Sequence, residues 1–351
     1  MTLLVIVLVF GGLIFAHELG HFAVAKATGV QVDEFALGFG PRLVAFRWGE
    51  TSYAIRLLPV GGFVRMAGMV PPAEDDESAD ARSARSALAS GRAFNSKTLG
   101  QRAAIIAAGP AMSFLVGVVL FAIVFLFVGV PSNPTLTVAD VQAGYPAAAA
   151  GMLPGDRIVA IDGHTLTGWD ALKQTVAGSA GKSLVITVDR DGKPVSLTVT
   201  PTETSSGGLI GVAPVMANMR MALPRAVGGG FTAVWGVIAG WFMALGSLVH
   251  GAGASNFIGP VGIGQVIGQA EQQGAGSLLL VAAVLTANLG LINLLPIPAL
   301  DGSRLAFIGL EWLRGRPIDP EKENFIHFVG FALLILLSVV VTYRDILRLT
   351  G

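Results

Sequence analysis

The chain has 351 residues, of which 53% are hydrophobic and only 13% charged, with 23 basic residues balancing 23 acidic ones. A soluble domain carries roughly a quarter charged residues, so this deficit points to a bilayer as solvent, where ionised side chains are costly. Zero net charge leaves no electrostatic footprint for nucleic acid, and the absence of cysteine excludes disulfides, thiolate zinc sites and a cysteine nucleophile.

A membrane-spanning helix needs about 20 mostly apolar residues. Residues 1–30 open with such a run. It lacks a basic leader, and a His-Glu pair stands where a secretory signal would carry its small-residue cleavage site, so it reads as a retained span. In residues 31–70, short strands at 43–48, 52–58 and 63–66 are bounded by Gly40-Pro41, Gly49-Glu50 and Gly61-Gly62. Residues 71–99 carry Glu74, Asp75, Asp76, Glu77 and Asp80, then Arg82, Arg85 and Arg92, and read as a surface loop. A second span covers 100–130.

Residues 135–201 form a separate α+β domain. Pro154-Gly155-Asp156, Asp162-Gly163 and Asp191-Gly192 are turn signals between β-rich runs at 157–161 and 183–189, and 170–176 is helix-like. Residues 202–275 form a linker that contains an apolar stretch, 231–249. A third span covers 276–303, a polar segment 304–324, and a fourth span 325–343. The fold class expected is a polytopic α-helical membrane protein with four transmembrane helices, a membrane-associated β-region and an inserted α+β domain.

His17-Glu18-Leu19-Gly20-His21 is an HExxH motif. On a helix the two histidines lie one turn apart on one face and can share a cation, with Glu18 beside them as general base. Zinc suits such nitrogen ligands and hydrolytic chemistry, and it needs a third protein ligand while one position stays open. His164 lies in the β-rich domain, and His250 and His327 have no motif around them. The better third ligand is Asp301, which ends an apolar span behind Pro296 and Pro298. Those prolines free backbone groups, which is tolerable at membrane depth only inside protein or beside a water-filled cavity. Taken alone, Asp301 reads better as a cap of the next helix; the constellation with the two histidines reverses that reading.

These residues together resemble the site-2 protease family of intramembrane zinc metalloproteases. The HExxH motif pairs with the distant Asn293–Gly302 segment, which resembles that family's NxxPxPxLDG motif. Gly38-Phe39-Gly40-Pro41 and Leu58-Pro59-Val60-Gly61-Gly62-Phe63 look like its membrane-reentrant β-region. Ala108-Gly109-Pro110 resembles the opening of its second core helix, and Gly259-Pro260-Val261-Gly262-Ile263 the segment before its third. Residues 144–163 look like a PDZ domain of the bacterial protease type, so the chain is similar to the single-PDZ branch related to the sigma-E regulator protease. Two positions depart from the family pattern: Ser113 stands where relatives often show asparagine, and Ser303-Arg304 where they commonly read Gly-His.

The resemblance implies zinc held by His17, His21 and Asp301, with Glu18 as catalytic base. It implies substrate-binding roles for Asn293, Pro296, Pro298, Gly61 and Gly62, although Asn293 also reads as a local cap. The substrates implied are single-pass transmembrane proteins in the bacterial inner membrane, such as a pre-cleaved anti-sigma factor or a remnant signal peptide, with membrane lipid as surroundings. The PDZ domain would bind a peptide C-terminus or act as a size filter. The alternative is a catalytically silent PDZ-bearing membrane scaffold.

If three ligands share one depth, the span at 276–303 must follow the second span without another complete crossing. Residues 231–249 are therefore expected at the outer interface or dipping partway, anchored by Trp235, Trp241 and Phe242. The PDZ domain is then extracytoplasmic and the active site lies towards the cytoplasm. Ten Lys or Arg residues in 26–102, against seven in 130–231, agree with that orientation.

Overall fold

The computed structural model describes residues 2–70, 76–205, 207–249 and 259–350, in two compact units: residues 1–124 with 223–351, and residues 125–222. Glu74, Asp75 and His250 lie outside the described residues. In chain order the elements begin with α1 (Thr2–Ala27), β1 (Val32–Trp48), β2 (Thr51–Met66), α2 (Ala79–Ala89) and α3 (Leu99–Ile123). The second unit holds β3 (Val130–Val141), α4 (Pro146–Ala149), β4 (Arg157–Ile161), β5 (His164–Thr165), α5 (Trp169–Ala177), β6 (Leu184–Arg190), β7 (Lys193–Val199), β8 (Thr202–Thr204), β9 (Gly207–Leu209) and β10 (Val212–Met219). The chain then returns through α6 (Leu223–Val249), α7 (Pro260–Gln273), α8 (Ala275–Leu294), α9 (Asp301–Arg314) and α10 (Pro320–Thr350).

The first unit is organised around α3. Thr98 and Gln101 form a reciprocal capping box that fixes where this helix begins. Along it, Ile105 and Ser113 lie beside His21 and His17 respectively, so α1 and α3 run antiparallel. On its other flank Pro110 and Ser113 meet Gly290, while Gly117 meets Thr286 and Ala283, so α8 is antiparallel to α3 as well. Consequently α1 and α8 run in the same direction. Small residues at these crossings let the backbones approach closely, the usual device where lipid removes any hydrophobic drive between helices.

Beside this trio β1 and β2 form a bulged sheet. Glu34, Phe35, Ala36 and Leu37 each pair twice, with Ser52–Ile55 and with Gly62–Arg65. Thus 62–66 forms an outer edge of the sheet. The strands are longer than the sequence suggests: Gly40-Pro41 and Gly61-Gly62 fall at irregularities inside continuous strands instead of ending them.

The described part of the expected loop, residues 76–99, is more structured than expected. Ser78 caps α2, whose buried face consists of Ala81, Ala84 and Ala87. Three methyl groups make too faint an apolar pattern to be read from sequence. They suffice here because Ala67 and Ala93 pack against Ala87.

The second unit is α+β, with sheet order β10-β3-β4-β6-β7 and β5 paired to β4. Its core gathers Val138, Ile158, Leu172, Ile186, Val188 and Val199. Asp162-Gly163 and Asp191-Gly192 make the tight turns expected of them, with all four residues at positive φ. The unit is wider than 135–201: β10 pairs along β3, so a stretch assigned to the linker supplies an edge strand.

Among the described residues, five helices are long and apolar enough to cross a membrane: 3–27, 99–128, 223–247, 275–294 and 322–347. The chain is therefore a multi-helix membrane protein. The expected total of four spans is one short of these candidates, because α6 is a single continuous helix, which rests on α3 through Gly230 and Val234.

In the β-sheet, Glu34 is buried at 1% exposure and accepts hydrogen bonds from Arg42 at 2.9 Å and Arg56 at 2.6 Å, with Arg65 as a third partner. Burial pushes its carboxyl up, but these guanidinium groups outweigh burial and hold it below the ordinary glutamate value. A depressed carboxyl stabilises the fold above its unfolded pKa, and that contribution is lost as pH falls through the glutamate range. We predict that Glu34→Gln costs about 2 kcal/mol, less than a fully buried pair because Arg42 is half exposed. Amide exchange in β1, corrected for intrinsic rates, is expected to lose protection below about pH 4 in the wild type. An identical pH step in Glu34→Gln would exclude Glu34 as its source.

Candidate metal centre

His17 and His21 project from one face of α1, one turn apart, and both are 6% exposed. Asp301 opens α9 and reaches them from the far end of the chain. Its Oδ2 lies 3.1 Å from His17 Nε2 and 3.2 Å from His21 Nε2, and the two Nε2 atoms are 3.3 Å apart. The three donor atoms form the one such cluster among the described residues, all within 4.8 Å of one another.

Each imidazole is oriented from behind. His21 Nδ1–H donates to the Ile105 carbonyl at 2.9 Å, which leaves Nε2 with its lone pair towards Asp301. His17 Nδ1 meets Ser113 Oγ at 3.0 Å, and Ser113 is completely buried. Such hydrogen bonds fix tautomer and ring orientation in metal sites. Two imidazole nitrogens and one carboxylate oxygen, with no fourth protein donor among the described residues, match the donor set of a catalytic zinc site. Magnesium or calcium would call for oxygen donors throughout.

Gly109 explains part of the Ala108-Gly109-Pro110 signature. A Cβ there would sit within the van der Waals envelope of the His21 ring, at Nε2 and both adjacent ring carbons. Any side chain at position 109 would therefore occupy the place of a ligand.

The centre opens into a cavity of about 420 Å³. Glu18 lines it beside the histidines, as do Asn293 from α8 and Arg304 from α9. Its opposite wall is the sheet edge, including Gly61, Gly62, Phe63, Val64 and Met66. Asn293 donates its amide to the Leu289 carbonyl at 3.0 Å.

The structure thus brings together His17, Glu18, His21, Asp301, Asn293, Gly61 and Gly62. Pro296 and Pro298 are not on the cavity wall: Pro296 is exposed and Pro298 packs against Gly330 of α10. Their contribution is to end α8 and turn the chain towards α9, since proline cannot continue a helix. Sequence reasoning did not assign roles to Ser113, Gly109, Arg304 or His327. Two of these, Ser113 and Arg304, already stood out as departures from the family pattern. His327 offered no local signal because its partner is a backbone amide 28 residues away.

The chain is similar to known proteases over nearly its whole length. The model of peptidase family M50 matches residues 5–337. The chain is 35% identical to the zinc metalloprotease RasP of Geobacillus kaustophilus, over 97% of this chain and 96% of that protein. It is also 35% identical to the regulator of sigma-W protease RasP of Bacillus subtilis, over 99% of both chains. The probable protease eep of Enterococcus faecalis is 33% identical over the same shares. Among solved structures, the PDZ domain of an SdrC-like protein from Listeria innocua covers 25% of this chain and 98% of its own, at 21% identity and a TM-score of 0.22, too distant to argue from.

Two substitutions test the centre. Gly109→Ala is expected to displace His21 and abolish zinc retention while the protein still inserts in membranes. Ser113→Ala removes one orienting hydrogen bond and is expected to weaken zinc affinity about 10- to 100-fold. Zinc content after dialysis against graded chelator reads both. Full retention by Gly109→Ala would contradict the described approach of α1 and α3.

Proposed function

The chain belongs to peptidase family M50 and is a zinc metalloprotease, and from that premise we propose that it hydrolyses peptide bonds within or beside transmembrane segments of single-pass membrane proteins. The observation that carries this reading is that Glu18 and the His17–His21–Asp301 cluster line one cavity, with His17, Glu18 and His21 on α1, a helix long and apolar enough to span a bilayer, and Asp301 at the start of α9 shortly after α8, another such helix. Zinc, when bound by these three residues, supplies Lewis acidity and acidifies water. Glu18 takes the proton from the attacking water and later delivers it to the leaving amine.

A transmembrane helix hides its scissile carbonyl in its own hydrogen bonds, so the substrate must unwind. The sheet edge at 62–66 supports capture of the extended strand: it pairs with β1 on one side, and Gly61–Val64 line the metal cavity. Main-chain pairing there would hold many sequences with little side-chain preference. Asn293 lines the same cavity and would contact that backbone, and this reading gives Gly61 and Gly62 a substrate-facing role.

We assign residues 125–222 to a PDZ domain on the extracytoplasmic side of the bacterial inner membrane, with the zinc centre towards the cytoplasm. On that side the domain would either bind a newly exposed C-terminus or exclude substrates that keep bulky external domains. The name of the Bacillus subtilis relative, regulator of sigma-W protease, suggests a membrane-bound regulator of transcription as substrate class.

The parallel course of α1 and α8 supports four complete crossings. The chain leaves α3 and enters α8 on one side, so the segment between them crosses an even number of times. Gly259 and Gly262, at the start of α7, donate to Asp345 near the end of α10, and Gly264 lies near Ile6 of α1. These contacts put α7 at the level of the N-terminal turns of α1. From Val249 to Gly259 is ten residues. Had α6 crossed completely, those ten would have to recross a core about 30 Å thick in nearly extended form, with backbone groups unsatisfied.

Two experiments test the reading. Glu18→Gln is expected to retain zinc yet lose about 10²- to 10⁴-fold in cleavage of a model transmembrane substrate; undiminished cleavage would remove the proposed base, and zinc binding without cleavage by the wild type would favour a silent scaffold. The native chain has no cysteine, so single cysteines report topology directly. Ser247→Cys is expected to react with an impermeant maleimide from the same side as Ser196→Cys. Reaction from the opposite side would make α6 a fifth crossing.

A further inference from the structure

Asp301 follows a short loop, residues 295–300, that belongs to no helix or strand. Between α8 and α9 the backbone passes Pro296 and Pro298 and reaches Ala299 at φ +76°. That left-handed conformation is unfavourable for an L-residue with a Cβ, so something must hold it. Two residues later the chain presents the carboxylate that meets His17 and His21.

What grips this loop is α10. The Ala299 N–H donates to His327 Nδ1 at 3.0 Å. One turn along the same helix, Gly330 leaves open the space that the Pro298 ring occupies. The imidazole is itself wedged. Its ring stands edge-on to Phe307 of α9 with centroids 5.7 Å apart, and its side chain is 13% exposed. Its Nε2 is buried without a hydrogen-bond partner among the described residues, 3.7 Å from Glu323 Oε1. An acceptor at Nδ1 requires the tautomer with its proton on Nε2, the side facing that carboxylate.

We propose that His327 is a positioning residue for the metal centre: by accepting the Ala299 N–H it locks the left-handed turn that delivers Asp301 to the two histidines. It does not line the cavity at the metal centre. The fourth span thereby takes part in building the site through a backbone bond, and loosening α10 at this point would loosen the third ligand. The inference rests on Asp301 being a zinc ligand.

The test uses full-length protein in detergent, loaded with zinc, and measures the rate of zinc release to excess chelator alongside kcat and KM for a model transmembrane substrate. His327→Leu removes the acceptor and is expected to release zinc at least tenfold faster and to lower kcat while leaving KM within twofold. His327→Asn keeps an acceptor close to the Nδ1 position, and His327→Gln places one near Nε2. Asparagine is expected to retain zinc nearly as the wild type does; glutamine is expected to lose it. That contrast stands even if the leucine variant fails to fold. Ala299→Gly, which relieves the left-handed strain, is expected to recover retention in the His327→Leu background. Wild-type release by His327→Leu, or equal release by the Asn and Gln variants, would overturn the proposal. Asp301→Asn separates it from its premise: if that variant keeps zinc as the wild type does, the ligand assignment itself fails.

Discussion

Three side chains from opposite ends of the sequence must share one point, and everything else in the membrane unit follows from that requirement. His17 and His21 arrive on α1, Asp301 arrives 280 residues later at the start of α9, and their donor atoms approach to little more than 3 Å. A carboxylate and two imidazoles would not stay buried together in a bilayer without a cation to justify their desolvation. Helix packing has to supply the convergence. Gly109 lets the His21 ring lie against α3, Gly290 lets α8 close on the other flank, and Ser113 sits at the junction with a hydrogen bond to His17. Small residues at helix crossings are thus not a compositional accident of a glycine-rich chain; they set the distance at which the ligands meet.

The same convergence orders the topology. Because α1 and α8 approach the centre in the same direction, the topology proposed above makes the chain between α3 and α8 one excursion from a single face of the membrane. The sheet edge and Asn293 line the same cavity as Glu18, which is where the proposed mechanism brings an unwound substrate. Metal chemistry, substrate capture and membrane topology are in this sense consequences of one geometric condition.

Much of this was legible in the sequence because the relevant signals are local. HExxH encodes its own geometry through helical periodicity, Asp-Gly pairs encode tight turns, and Pro296 and Pro298 announce a broken helix. The distant Asp301 could be joined to the histidines only because its own surroundings are distinctive. What stayed hidden depends on partners far away in the chain. The alanine face of α2 has meaning only against Ala67 and Ala93. Strand β10 is recognisable only by its ladder with β3, 80 residues earlier, and His327 only by the amide it receives from Ala299. Length and composition alone make α6 a candidate span. Its status depends on where the next helix begins, which no local pattern encodes.

The central claim is that one zinc ion is held by two imidazoles from α1 and a carboxylate from α9. Zinc-edge X-ray absorption on the purified full-length protein, with metal analysis, tests it most directly. The account predicts one zinc per chain with two imidazole ligands at about 2.0–2.1 Å and oxygen completing the shell, and a loss of zinc or an altered shell in Asp301→Asn. A spectrum with a single imidazole, or one unchanged by Asp301→Asn, would contradict it.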